Sequence, residues 1–205
     1  EKGEVAFEEA YHFRFTATME VTDHSTKKKQ QTRMQQSYGD HALYTILEEN
    51  DVPVLYDLKN EVSLLIDKSS KTVQVASMAF MEKWATAPKT SEDAQKIRSR
   101  KTGASKHING YRCEEYIIEE DAITIKAWFA PEVDFVFQDY LRGFSKMFSG
   151  KRGTNPYGLL NDGYGYVMEM TAYENHKNKT EMKVIHITKE PIDIDLSDYT
   201  VQRIF

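Results

Sequence analysis

Tyr11-His12-Phe13-Arg14-Phe15-Thr16-Ala17-Thr18-Met19-Glu20-Val21 alternates without a break, with Tyr11, Phe13, Phe15, Ala17, Met19 and Val21 on one side and polar residues on the other. Successive side chains of a strand point to opposite faces, so this pattern is a long strand with one face buried. A turn near Asp23 to Ser25 leads into Lys27 to Tyr38, where Met34 and Tyr38 alone anchor an apolar face. That stretch reads as an edge strand, because a lysine-rich edge resists pairing with other chains.

Leu43 to Leu47, Val52 to Leu58, Val62 to Ile66 and Val73 to Met78 read as short strands, broken at Asn50-Asp51, Lys59-Asn60 and Lys68-Ser69-Ser70. Those breaks carry side chains that bond their own backbone in turns. Hairpins in series give a meander, so the sheet is expected to be antiparallel. One or two helical turns over Phe80 to Ala87 should stop at Pro88, and Lys89 to Lys106, with almost nothing apolar except Ile97, reads as a surface loop. Strands resume at Tyr111 to Ile118, Ile123 to Phe129, Tyr164 to Tyr173 and Met182 to Thr188, the last two forming a hairpin.

Phe135 to Phe148 has a different period. Phe137, Tyr140, Leu141, Phe144, Met147 and Phe148 recur at helical spacing and form one stripe that needs a cover. Burying five or six such side chains contributes roughly 8 to 15 kcal/mol, at about 1.5 to 3 each. The expected architecture is therefore mainly β with minor α: a single domain over residues 1–205, built as a curved antiparallel sheet with this helix as a lid.

Composition excludes several classes of function. The chain has 205 residues and a net charge of −5, from 27 Lys+Arg against 32 Asp+Glu, so no overall positive field collects phosphates and nucleic acid is not expected as a partner. No apolar run reaches the roughly 18 to 20 residues of a transmembrane helix. The first residue is Glu1 rather than Met, from which a processed or trimmed chain lacking its leader is expected. Cys113 is the only cysteine, and it reads as a small buried hydrophobe.

Catalytic chemistry finds no foothold. His12, His24, His41, His107, His176 and His186 stand at no metal-ligand spacing, and neither a metal nor a cofactor is expected. The run Gly150-Lys151-Arg152-Gly153-Thr154 lacks the glycine spacing of a phosphate loop, and no serine nucleophile elbow occurs. Adjacent Glu114 and Glu115 point to opposite faces of a strand. The nearest titratable set, His12, Arg14 and Glu20, lies on the polar strand face. An enzyme is not expected.

Aromatic and methionine positions suggest binding instead. Phe13, Phe15 and Met19 on the first strand, Tyr166, Met168 and Met170 on a late one, and Phe137, Leu141, Phe144 and Phe148 on the helix are the candidate ligand-binding residues. Methionine is flexible and polarizable and lines surfaces that accept varied apolar partners. The expected ligand is an apolar small molecule, lipid or lipoprotein. The competing reading is a structural module with a filled core and a protein partner.

Several segments also resemble a known family. They are Tyr56-Asp57-Leu58-Lys59-Asn60-Glu61 with Leu64 to Thr72, then Ile108-Asn109-Gly110-Tyr111-Arg112-Cys113-Glu114-Glu115-Tyr116, Ile123 to Pro131 with Trp128, and Met168 to Ile187. In these the chain resembles the DUF4412 family of bacterial envelope proteins, whose fold is similar to the lipoprotein carriers LolA and LolB. The resemblance implies a LolA-like half-barrel with a helical lid, in a protein exported to the periplasm or cell surface. Leu196 to Val201 departs from the usual tail of that family, and no catalytic residue is carried over.

Overall fold

The computed structural model describes residues 6–25, 29–77, 98–120, 122–133 and 164–204. These residues are almost entirely strand. β1 (Ala10–Phe13), β2 (Phe15–Asp23), β3 (Gln30–Tyr38), β4 (Ala42–Leu47), β5 (Asn50–Asp57), β6 (Val62–Asp67) and β7 (Thr72–Ser77) come first. β8 (Arg98–Ile108), β9 (Tyr111–Glu120), β10 (Ile123–Ala130), β11 (Tyr166–Glu174), β12 (Lys177–Thr188), β13 (Ile192–Asp195) and β14 (Thr200–Ile204) follow.

Twelve strands form one sheet in the order β14-β7-β6-β5-β4-β3-β2-β12-β11-β10-β9-β8, while β1 and β13 pair separately. Two antiparallel meanders, β2 to β7 and β8 to β12, are joined edge to edge where Thr16 lies opposite Thr188 and Asp23 opposite Thr180. Only β14 runs parallel to its neighbour, β7. The meander expected from the turn chemistry is present. Several of its turns use left-handed backbone: Asn109 and Gly110 have φ of 51° and 85°, Asn175 and His176 have 50° and 63°, and Glu61 and Lys71 have 52° and 50°. Consecutive positive φ values suit a two-residue hairpin, since that turn twists with its strands.

Three expectations change. The alternating Tyr11–Val21 run is two strands, because the chain leaves the large sheet at Arg14, whose amide donates to the Tyr38 carbonyl at 3.0 Å. There β1 crosses the β3–β4 turn so closely that a Cβ on Gly39 would lie 2.5 Å from the His12 carbonyl oxygen. Second, β3 is interior rather than an edge: Gln30–Tyr38 pairs with β2 along its whole length, and Met34–Tyr38 also pairs with β4. Its polar first half is exposed because β4 ends at Leu47, opposite Met34.

Third, part of the supposed basic loop is a real edge, β8, which pairs with β9 through Arg98↔Glu119 and Lys101↔Tyr116. An edge strand buries little, so β8 lacks an apolar alternation that would reveal it. The other expectations in this region, helical turns over Phe80 to Ala87 and the lid over Phe135 to Phe148, lie outside the described residues.

Both faces of the β4–β7 region are apolar. Leu43 belongs to one buried cluster with Phe15, Tyr38 and Met170, and its neighbour Tyr44 belongs to a second with Phe13, Leu55, Leu64 and Val75. The β1–β13 ribbon covers the second cluster, placing the Phe13 ring 5.8 Å from Tyr44 and burying Leu196 beside it. Each fully buried Leu, Val or Phe there contributes about 1.5–3 kcal/mol. The segment Ile192–Asp195 thus contributes the strand that pairs with β1.

A buried polar latch fixes this ribbon. The Tyr11 hydroxyl donates to Asp57 Oδ2 at 2.9 Å and accepts from the Glu8 amide at 3.0 Å. Asn60 donates to the same carboxylate through its backbone amide and its Nδ2. Burial, and next the Asp57 charge, push the Tyr11 phenol far above its ordinary value, so it stays a donor at neutral pH. Tyr11→Phe keeps the ring and deletes the donor to a buried carboxylate; urea denaturation should show a loss of about 1.5–3 kcal/mol.

At the β6–β7 turn, hydrogen bonds from Ser69 and Ser70 hold the exposed Asp67 carboxyl down at about 2. A carboxyl depressed on folding stabilises the native state above its unfolded value, and that contribution is lost as pH falls through the folded one. Thermal unfolding should therefore show an acid-side loss of stability between about pH 4 and pH 2 that is smaller in Asp67→Ala.

Candidate functional site

Curvature of the sheet defines the site. Tyr38 on β3 and Tyr166 on β11 lie three strand steps apart, which on a flat sheet is roughly 14 Å at 4.8 Å per step. Their rings nevertheless meet at 5.8 Å between centroids, and their hydroxyls bond at 3.0 Å. The face carrying them is therefore the inner face of a curved, unclosed sheet. Phe15 completes the contact at 5.7 Å from Tyr38 and 5.3 Å from Tyr166.

Gly165 makes the approach of Tyr166 possible. Its φ is +93°, and a Cβ there would lie 2.4 Å from the Ala130 carbonyl oxygen. No other residue type combines that backbone angle with that space.

Around the aromatic contact lie Met19 paired with Met34 and Met170 paired with Met182, with Met168 at the irregularity opposite Phe129. Every methionine among the described residues belongs to this cluster. Of the candidate ligand-binding residues, Phe15, Met19, Tyr166, Met168 and Met170 come together here, each 8% exposed or less. Phe13 is a correction: it packs in the second cluster, under β1, because the chain changes sides at Arg14. Phe137, Leu141, Phe144 and Phe148 lie outside the described residues.

Sequence reasoning missed Met34 and Met182, which occupy apolar strand positions, and a polar spot at Gln36. The Tyr38 hydroxyl donates to Gln36 Oε1 at 2.7 Å. Gln36 pairs across the ladder with Ala17 on one side and Thr45 on the other. The Thr45 hydroxyl is enclosed and finds no hydrogen-bond partner. Alternation with Met34 and Tyr38 puts Gln36 on their face, but it does not reveal which residues of other strands Gln36 stands beside.

The same inner-face row continues through Val54, Leu65, Gln74 and Gln202. There the face opens into a groove of about 440 Å³, lined by Val52, Leu65, Asp67, Thr72, Gln74 and Gln202 among others. Ligand pockets are commonly about 300–1,000 Å³.

Elsewhere the titratable groups form ion pairs spread over the strands, two of them shared: Arg33 meets both Glu20 and Glu48, and Glu169 meets both Lys106 and Lys183. His12 bonds Asp193 at 2.6 Å, Arg14 bonds Asp40, and Arg33 bonds Glu20 at 2.7 Å. Glu114 meets Lys101 at 2.6 Å and Glu115 accepts from Thr102 at 2.7 Å, so the adjacent glutamates serve separate contacts. Lys106 lies 4.3 Å from the centre of the Trp128 ring and also bonds Glu169. Burial pushes the Cys113 thiol up, consistent with its place in the core. Among the described residues no group of three His, Cys, Asp or Glu could hold a metal ion, and no helix is long and apolar enough to cross a membrane.

Comparison with solved structures finds weak likenesses. An uncharacterized conserved protein from Thermus thermophilus has a TM-score of 0.46 at 6% identity, over 92% of this chain and 89% of that one. PNGF-II has a TM-score of 0.45 at 10% identity over 94% of this chain, which spans only 31% of that protein. A putative outer membrane lipoprotein-sorting protein domain from Vibrio parahaemolyticus has a TM-score of 0.31 at 12% identity, over 85% of this chain and 84% of that one.

No curated protein matches the chain. The family comparison is clearer: the model of DUF4412, a domain of unknown function, matches residues 13–199, from the end of β1 to the turn before β14. On that match the chain belongs to the DUF4412 family.

Proposed function

We propose that the protein is a non-enzymatic component of the cell envelope that binds an apolar ligand, an acyl chain, a lipid or a lipoprotein, on the inner face of its curved sheet. The observation that carries this reading is the concentration of methionine and aromatic side chains on that one face, continuous with a groove. Apolar burial supplies the affinity, and methionine adapts to ligands of varied shape. In this reading the amphipathic pattern of Phe135 to Phe148 supplies the cover, moving to admit and release the ligand. The titratable groups are engaged in ion pairs spread over the strands, which supports a binding role over a catalytic one.

A second reading has its own support. Phe15, Tyr38 and Tyr166 fill much of the space between the strands that carry them, as a packed core does. On that reading the protein is a structural module of the envelope that meets a partner protein through its outer surface.

Native mass spectrometry of the protein after mild extraction separates the two. The expected result is a bound species of lipid mass that is removed by delipidation and regained on incubation with lipid extract. A chain that stays ligand-free after that incubation favours the filled core. Cell fractionation of the full-length protein should recover it with the envelope, and recovery in the cytoplasm would overturn the proposed location.

A further inference from the structure

The groove at the open end of the inner face has a chemistry of its own, which leads beyond the apolar-ligand reading. Among the described residues that line it, Asp67, Ser70, Thr72, Gln74 and Gln202 are polar, against Val52 and Leu65. Gln74 stands between Leu65 on β6 and Gln202 on β14, each opposite the next, so the two glutamines lie side by side about 5 Å apart. Asp67 and Thr72 face each other two residues further along the same strands.

These side chains keep bonding capacity to spare. Both glutamines are exposed, and among the described residues no hydrogen bond engages either side-chain amide. Ser69 and Ser70 deliver their hydrogen bonds to Oδ1 of Asp67, which leaves Oδ2 able to accept from a ligand. None of the described lining residues is a Lys, Arg or His, so nothing there answers an anion, and the Asp67 carboxylate opposes one. An apolar chain in the groove would cover Val52 and Leu65 while taking water away from the polar majority, which is costly where no hydrogen bond replaces it.

A hydroxyl suits every one of these groups. It donates to a carboxylate, which only accepts, and it both donates to and accepts from an amide. Several hydroxyls on one rigid ring engage several such side chains at once, while the C–H surface of the ring rests on Val52 and Leu65. The groove, at about 440 Å³, is within the size range of small-molecule sites. We propose that it binds a neutral polyhydroxylated ring, a sugar, whose hydroxyls bond the amides of Gln74 and Gln202 and Oδ2 of Asp67. That chemistry has two sources, a free sugar or the sugar headgroup of a lipid.

The test is titration of the isotope-labelled protein with glucose, galactose, maltose and glucuronate, followed by NMR at the side-chain amide resonances of Gln74 and Gln202. Saturable shifts of both are expected with at least one neutral sugar, and glucuronate should bind at least about threefold more weakly than that sugar at low ionic strength, because its charge repels Asp67. Gln74→Leu and Gln202→Leu should each weaken binding by about threefold or more, the worth of one neutral hydrogen bond, with the thermal unfolding midpoint unchanged. Asp67→Asn should narrow the gap between glucuronate and the neutral sugar. Co-sedimentation with phosphatidylcholine vesicles, with and without a galactosyl diglyceride, separates the sources: retention on the galactolipid vesicles alone assigns a lipid headgroup, and shifts with free sugar but no retention assign a free sugar.

Unmoved Gln74 and Gln202 resonances with every sugar, together with no preference for the galactolipid, would overturn the inference. So would sugar binding that both leucine variants leave intact, or glucuronate binding as tightly as the neutral sugars. Each of these outcomes leaves the apolar-ligand reading as it stands, since that reading is decided by whether a species of lipid mass binds.

Discussion

The pairing of β2 with β12 holds the molecule together. The hairpins of each meander pair strands close in sequence and can form locally at small cost in loop closure, except that β10 and β11 are separated by residues 131–165. The seam is different: Thr16 must find Thr188, and Asp23 must find Thr180, across most of the chain. Contacts of that separation are slow to form and are stabilised only once both meanders exist. Everything on the inner face depends on this step, because Phe15 and Met19 come from one side of the seam and Tyr166 and Met170 from the other.

The seam alone would leave the back of the first meander wet. Leu55, Leu64, Ile66 and Val75 lie on that back face, and they are covered by β1 and β13, drawn from opposite ends of the described chain. The ribbon is held by the Tyr11–Asp57 latch and by the tight crossing at Gly39. The ribbon packs behind β4 to β7, of which β5, β6 and β7 line the groove on their other side. Construction of the two faces is therefore coupled through the strands they share.

How much of this could be read from the sequence follows from what each element buries. Strands with one dry face showed themselves by alternation, and Asn, Asp, Ser and Gly turns placed the hairpins. Sidedness was hidden. Tyr11 to Val21 alternates perfectly, yet the chain crosses from one layer to the other at Arg14, because a period of two records that a face is buried and not what buries it. β8 was hidden for the opposite reason, since an edge strand has little to bury. β3 misled because its glutamine-rich half, which follows Lys27 to Lys29 in the sequence, extends beyond the end of β4, so an interior strand carries an edge strand's composition. The candidate residues on β2 and β11 were legible as methionine and aromatic positions on strands, and Phe13 was assigned with them only because the crossing could not be seen.

The polar row was illegible for a deeper reason. Gln36, Thr45, Gln74 and Gln202 are ordinary residues for a solvated strand face; Met34 and Tyr38 place Gln36 on the apolar side of β3, away from Gln35, but alternation does not say which strands lie beside it. They gain meaning only through register, when adjacent strands bring them into line across the inner face. Register also explains why an apolar face alone would be a poor recognition device: dispersion and burial reward any greasy shape, so discrimination must come from the few groups that are costly to leave unpaired. In this fold the row that carries those groups runs from the buried cluster to the groove.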